Sequence, residues 1–253
     1  MEHRGPRMDD ERRREFGRSF EQGGEHYERI RPGYPDDAVD WLVPDGARDA
    51  VDLGAGTGKY TEQLLRRGLQ VTAVDPSADM LAQLQQKHPE VRVLLGTAEQ
   101  TGLADASFDL VTVAQAWHWV DAAAASTEAA RILRPGGVLG LVWNQLDVSI
   151  PWVHRLSRIM HAGDVYKPHS RPDVVGDEFT GLENHLTRWT DPLQPADLME
   201  LAKSRSYYLR ANEQTRAKVL ANLDWYLHEH LGHDPSAVLQ LPYLTLSWRA
   251  FRR

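Results

Sequence analysis

The sequence predicts an α/β domain built on a mostly parallel sheet, and three observations carry that prediction. Short β-rich runs alternate with stretches of helical periodicity over residues 50–144. The first run, Ala50-Val51-Asp52-Leu53, ends in three glycines at alternate positions, Gly54, Gly56 and Gly58, and leads at once into a helical stretch from Tyr60 to Arg67 with Leu64 and Leu65 on its buried side. A later run, Val138 to Trp143, is apolar on both faces, as a strand covered on both sides must be.

A strand, a tight glycine turn and a helix start form the first half of a nucleotide-binding βαβ unit. Glycine tolerates positive φ in such a turn and, lacking a Cβ, lets the backbone approach a ligand closely. The N–H groups of the helix start then favour a polar or negatively charged group. The spacing departs from the dinucleotide fingerprint, which needs glycine at the first, third and sixth positions. Here the sixth position is Lys59, and the third glycine falls at the fifth, Gly58. Asp52, two residues ahead of the loop, would repel a pyrophosphate but could receive an ammonium.

The remaining elements follow in order. Residues 1–18 mix both signs of charge with little apolar content, which reads as a frayed leader or a solvated helix. Tyr27 to Pro35 carries two prolines and a glycine, which fix a turn. Asp36 to Leu42 opens on acidic residues, as a helix N-terminus does. Gln70 to Val74 is strand two and finishes at Asp75-Pro76-Ser77. Ser77 is the better cap for the next helix, which leaves Asp75 to accept both hydroxyls of a ribose. Val91 to Leu95 is strand three, Leu110 to Ala114 strand four, Asp121 to Leu133 an alanine-rich helix, and Arg134-Pro135-Gly136-Gly137 the break before strand five. Beyond Asn144 the pattern weakens: helices over 150–161, 195–204 and 212–231, strand six over 182–189 and strand seven over 239–250.

Asp52-Leu53-Gly54-Ala55-Gly56-Thr57-Gly58, the acid Asp75, the Ser107-Phe108-Asp109-Leu110-Val111 run and Leu133-Arg134-Pro135-Gly136-Gly137 stand in the order that class I S-adenosylmethionine-dependent methyltransferases show. The chain resembles that family over residues 50–144. Its Tyr27-x-x-x-Arg31-Pro32-x-Tyr34-Pro35 segment is similar to one in small-molecule enzymes of the trans-aconitate methyltransferase kind. The resemblance implies a Rossmann-like sheet of seven strands, mostly parallel with the last antiparallel beside strand six, under an N-terminal lid (1–35) and a helical cap mainly within 147–235. It implies S-adenosylmethionine as methyl donor and S-adenosylhomocysteine as product. Asp52, Gly54, Ala55, Gly56 and Gly58 would wrap the methionyl and ribose parts, Asp75 and Pro76 the ribose, and Met80 the adenine face. Thr97, Ala98 and Glu99 would meet the adenine edge; many relatives have Asp at the Thr97 position, so Glu99 becomes the side-chain candidate. Tyr27 and Arg31 would face the methionyl end, or else Tyr27 and Tyr34 pack a loop on the domain.

Ligands of open α/β sheets bind outside the carboxyl ends of the strands, so Ala114, Gln115 and the Trp117-His118-Trp119 run should face the reacting groups. His118 is the candidate base, with a structural histidine among aromatics as the other reading. Trp152, His154, Tyr166, His169, Tyr207, Tyr208 and Trp225 could line a substrate pocket or belong to the core.

Composition narrows the function classes. The 253 residues carry a net charge of −7, with a pI near 5.9, which argues against nucleic acid or an anionic membrane as partner. The absence of cysteine excludes disulfides, a thiol nucleophile and Cys-ligated metal. With no apolar run near 18 residues and a charged amino terminus, a soluble cytoplasmic protein is expected. The leading expectation is O-methylation of a carboxylate or hydroxyl on a small molecule. Methylation of RNA or a peptide terminus, and a SAM-binding module without catalysis, are the alternatives. Neither metal nor oligomeric state is indicated.

Overall fold

A computed structural model describes residues 31–161, 171–172 and 176–253. Strands β1 (Asp49–Leu53), β2 (Gln70–Asp75), β3 (Arg92–Leu95), β4 (Phe108–Ala114), β5 (Leu133–Leu146), β6 (Phe179–Leu193) and β7 (Leu239–Arg252) form one sheet in the order β3-β2-β1-β4-β5-β7-β6. The first five strands pair in parallel, and β7 inserts antiparallel between β5 and β6. This is the expected seven-stranded, mostly parallel arrangement with an antiparallel last strand. The strand order reverses between β1 and β4, so the crevice for a ligand opens at the carboxyl ends of those two strands.

Strand side chains alternate between two covered faces. Val51, Leu53, Val111, Val113, Leu139, Leu141 and Trp143 pack with Ala125, Ala129 and Ile132 of α4 (Ala122–Ile132). Ala50, Leu110, Val138 and Val142 pack with Val39 of α1 (Asp36–Asp40), Leu42 just beyond it, and Leu64 of α2 (Lys59–Arg66). Helix α3 (Ala78–Lys87) covers β2 and β3 through Leu81 and Leu84. Its Ser77 cap behaves as expected, the hydroxyl accepting from the Met80 N–H at 3.3 Å.

The cap has a hydrophobic core of its own. Helices α5 (Pro151–Ile159), α6 (Pro195–Lys203) and α8 (Glu213–Asp224) bring Val153, Leu156, Leu198, Leu201, Val219 and Leu223 onto Leu146, Leu241 and Tyr243 at the β5 and β7 ends. Three details differ from the sequence reading. A short helix, α7 (Ser206–Arg210), stands between α6 and α8, and the long helix expected over 212–231 passes at Trp225–His230 into a π-helical segment. Strand six is longer than expected because β7 gives it a partner over almost its whole length.

The Arg134-Pro135-Gly136-Gly137 turn is part of β5 and bulges from the ladder between the Phe108–Leu133 and Leu110–Val138 pairs, with Gly136 at φ +80°. Arg134 reaches Asp109 at 2.6 Å and Asp49 at 2.9 Å, while Asp109 also accepts from the Arg48 and Asp49 N–H groups. These residues close the amino-terminal edge of the sheet, opposite the crevice. Among the described residues, no helix is long and apolar enough to cross a membrane.

Candidate active site

The glycine turn is fixed from three sides. The Gly54 and Ala55 N–H groups both donate to the Val74 carbonyl, and all three glycines hold positive φ: +70°, +55° and +93° at Gly54, Gly56 and Gly58. A Cβ on Gly54 would stand 2.7 Å from the Ala116 Cβ, and one on Gly58 would stand 2.8 Å from the Leu84 Cγ. Those two glycines therefore admit the loop after β4 and helix α3. A Cβ on Gly56 would meet nothing within 4 Å, so this residue faces open space.

Asp75 ends β2 and is 7% exposed. Its Oδ2 accepts from the Gly56 N–H and its Oδ1 from the Ser77 N–H, each at 2.8 Å. Burial raises its pKa, and the two amides oppose that rise. Asp75 has a structural role the sequence did not show: its carboxylate also holds the glycine turn, because amides at a strand end need acceptors. Each oxygen keeps a further lone-pair direction for a hydroxyl.

Asp52 stands near the carboxyl end of β1, just ahead of the glycine turn. It is 0% exposed, beneath the turn, and its oxygens accept from the hydroxyls of Thr61 on α2 (2.8 Å) and Thr112 on β4 (3.1 Å). Burial lifts its pKa to about 7, against those two hydroxyl bonds. Through these two bonds Asp52 ties β1 to α2 and β4.

Of the residues expected around the donor, Ala55, Met80 and Ala98 are buried, whereas Pro76 and Thr97 are exposed. Glu99 Oε1 accepts from the Asp121 N–H at 2.9 Å, ahead of α4, so the expected side-chain contact is already engaged. At the tip of β4, half-buried Ala114 precedes Gln115, which takes φ +57° and donates from Nε2 to the Asn144 carbonyl at 2.9 Å.

His118 sits in the 3₁₀ turn Trp117–Trp119, its ring 4.5 Å from that of Trp119. The Trp143 indole N–H donates to His118 Nδ1 at 3.4 Å, and burial lowers the imidazole pKa to about 4. Indole can only donate, so Nδ1 must be the lone-pair nitrogen and Nε2 carries the proton. With Nδ1 facing the indole, His118 is left with Nε2 for any group in the crevice.

The segment Arg31 to Pro35 is strapped across the carboxyl edge of the sheet. Lys59 Nζ donates to the Arg31 carbonyl, and Asn144 Nδ2 donates to the Gly33 carbonyl at 2.7 Å. The Arg31 guanidinium donates to the Ser204 carbonyl behind α6 at 3.0 Å, and Tyr34 packs edge-on to Tyr60 at 4.8 Å. Tyr27 lies outside the described residues. The Tyr243 hydroxyl, buried, has no hydrogen-bond partner among the described residues. Reasoning from sequence missed Tyr243, Thr245 and Trp189, which β7 brings beside β5 and β6: Thr245 donates to Asn144 Oδ1, Trp189 donates to Thr245 Oγ1, and the Trp189 ring stacks on that of Tyr243 at 5.2 Å.

A parallel sheet with its reversal at a three-glycine turn, and an acid at the tip of the next strand, defines a nucleoside-binding enzyme of the Rossmann-like class. Residues 51–141 match a family described as a methyltransferase domain. An uncharacterized methyltransferase of Mycobacterium tuberculosis (strain ATCC 25618 / H37Rv) is 46% identical over 239 residues, covering 94% of this chain and 97% of that protein. One from Schizosaccharomyces pombe is 32% identical over 218 residues, covering 83% and 87%. Among solved structures, a candidate type II methyltransferase from Anaeromyxobacter dehalogenans gives a TM-score of 0.66 at 28% identity, covering 88% of this chain and 97% of that one. The chain belongs to the class I S-adenosylmethionine-dependent methyltransferases. The open face at Gly56 and the remaining acceptor capacity of Asp75 fit that donor.

Proposed function

We propose that the enzyme methylates an oxygen of a small carboxylate, and the bond from Trp143 to His118 carries this reading. S-adenosylmethionine supplies an electrophilic methyl on a sulfonium. The attacking oxygen forms its C–O bond as the S–C bond breaks, and the positive charge on sulfur and the negative charge on the carboxylate are lost together. A hydroxyl acceptor would need a base, and a histidine whose lone pair already receives an indole proton does not serve as one. A carboxylate is ionised at neutral pH and needs none. In this reading His118 Nε2–H donates to the acceptor and orients it. Gly54 to Gly58, Asp75, Ala98 and Gln115 hold the donor, and the Arg31–Pro35 strap with the cap excludes water.

A malonyl-[acyl-carrier protein] O-methyltransferase of Pectobacterium atrosepticum, 40% identical over 168 residues and covering 61% of each chain, supports oxygen as the acceptor atom. The strap supports kinship with the trans-aconitate methyltransferase kind. The test is a panel of matched carboxylic acids and alcohols with methyl-labelled donor. Label released as methanol by mild alkali marks a methyl ester and is the expected result; label held only in alkali-stable ethers or amines would overturn the proposal.

A further inference from the structure

A cavity of about 840 Å³ opens between α5 and α8, in the cap. His154, Arg155 and Arg158 face it from α5, His161 from the turn beyond, and Lys218 and Asn222 from α8. Among the described residues, the lining holds three fixed cations and two imidazoles, and no carboxylate. That is unexpected in a chain of net charge −7, where acids outnumber bases 36 to 29.

Several arginines elsewhere on the surface are neutralised. Arg66, Arg67, Arg131, Arg134 and Arg249 each pair with a carboxylate. Arg155, Arg158 and Lys218 have no carboxylate partner among the described residues. Arg155 rests instead over the rings of Trp225 at 5.9 Å and Tyr226 at 5.6 Å, which positions its guanidinium without neutralising it. On α5, Arg155 and Arg158 are three residues apart, a like-charge spacing that costs the helix a few tenths of a kcal/mol. The stacked rings of His161 and Tyr207, 3.8 Å between centroids, add a flat apolar wall.

We infer that the α5–α8 cavity, lined by Arg155, Arg158 and Lys218, is a binding site for a phosphate-bearing small molecule. Guanidinium groups present paired donors that match phosphate oxygens, and Lys218 supplies a point charge from the facing helix. The volume lies within the usual ligand-pocket range of about 300–1,000 Å³. An occupant held between α5 and α8 would join two helices whose remaining contact is through Val153, Leu156, Val219 and Leu223 in the cap core. The site stands apart from the glycine turn, and the inference does not depend on which acceptor is methylated.

The test uses inorganic pyrophosphate as probe, titrated calorimetrically into the full chain at low ionic strength. One saturable site is expected, together with a rise in the melting temperature. The double variant R158Q/K218Q changes only exposed side chains, so S-adenosylhomocysteine affinity should be kept while pyrophosphate affinity falls at least tenfold. No saturation at millimolar pyrophosphate, or equal affinity in the variant, would overturn the inference. A single-stranded RNA 12-mer that binds where pyrophosphate does not would also overturn it, by giving the face to nucleic acid.

Discussion

Replacing Asp52 by Asn tests the interior of the glycine turn without touching its surface. The carboxyl is 0% exposed and titrates near 7 instead of its ordinary 3.8, chiefly because burial penalises the charged form. The difference, at about 1.4 kcal/mol per pH unit, makes ionised Asp52 cost the fold about 4 kcal/mol. The sign follows from proton binding. Between pH 4 and 7 the folded chain binds the proton that the unfolded chain has released, so this contribution to stability falls as pH rises and is fully lost above about 8. An amide removes the titration while keeping the shape. Its oxygen can accept from Thr61, and its NH2 can donate to Thr112, whose hydroxyl can donate to the Val51 carbonyl 3.3 Å away. Urea unfolding of both proteins at pH 5, 6.5 and 8 is the assay. Comparison of the two cancels every other titrating group, and the stability of Asp52→Asn relative to wild type should climb by about 2–3 kcal/mol from pH 5 to pH 8. A difference that stays constant with pH would refute the burial argument.

Three further outcomes are expected. Asp75→Ala should weaken S-adenosylmethionine binding by about 1–3 kcal/mol in calorimetry, since charge-assisted bonds of that size are lost and the Gly56 amide loses its acceptor; unchanged affinity would remove Asp75 from the site. His118→Ala should lower turnover about 10- to 100-fold with donor affinity kept, whereas His118→Gln, which still presents an N–H, should recover most of it; equal loss in both would argue against the donor role. Gly54→Ala should lower stability by at least 1–2 kcal/mol in thermal unfolding, because φ is +70° and the new methyl meets Ala116 at 2.7 Å; adding Ala116→Gly should restore only the part due to the clash.

The alternation of short strands and helices from Ala50 to Trp143 was legible because each period belongs to one element, and local spacing shows it. The same holds for Gly54, Gly56 and Gly58, whose positive φ values are a local demand of the turn. Ser77 as a cap was readable for that reason too. Roles at a distance were not readable. Asp52 and Asp75 stand in motifs of equal prominence, yet one is sealed under Thr61 and Thr112 and the other grips the turn it was expected only to neighbour. Asp109 and Arg134, two of the most recognisable positions, meet each other at the closed edge of the sheet and stay remote from the ligand crevice.

The sequence by itself determined the class of enzyme, the strand that carries the glycine turn, and the donor it holds, since these depend on residues close together along the chain. Only the tertiary structure decided that Trp143 stands against His118, that Thr245 bridges Trp189 and Asn144, and that Arg155, Arg158 and Lys218 converge in one cavity. These follow from the parallel pairing of β4 with β5, the insertion of β7 between β5 and β6, and the packing of helices far apart in the chain. Such pairings join residues separated by dozens of positions, and no local period records them.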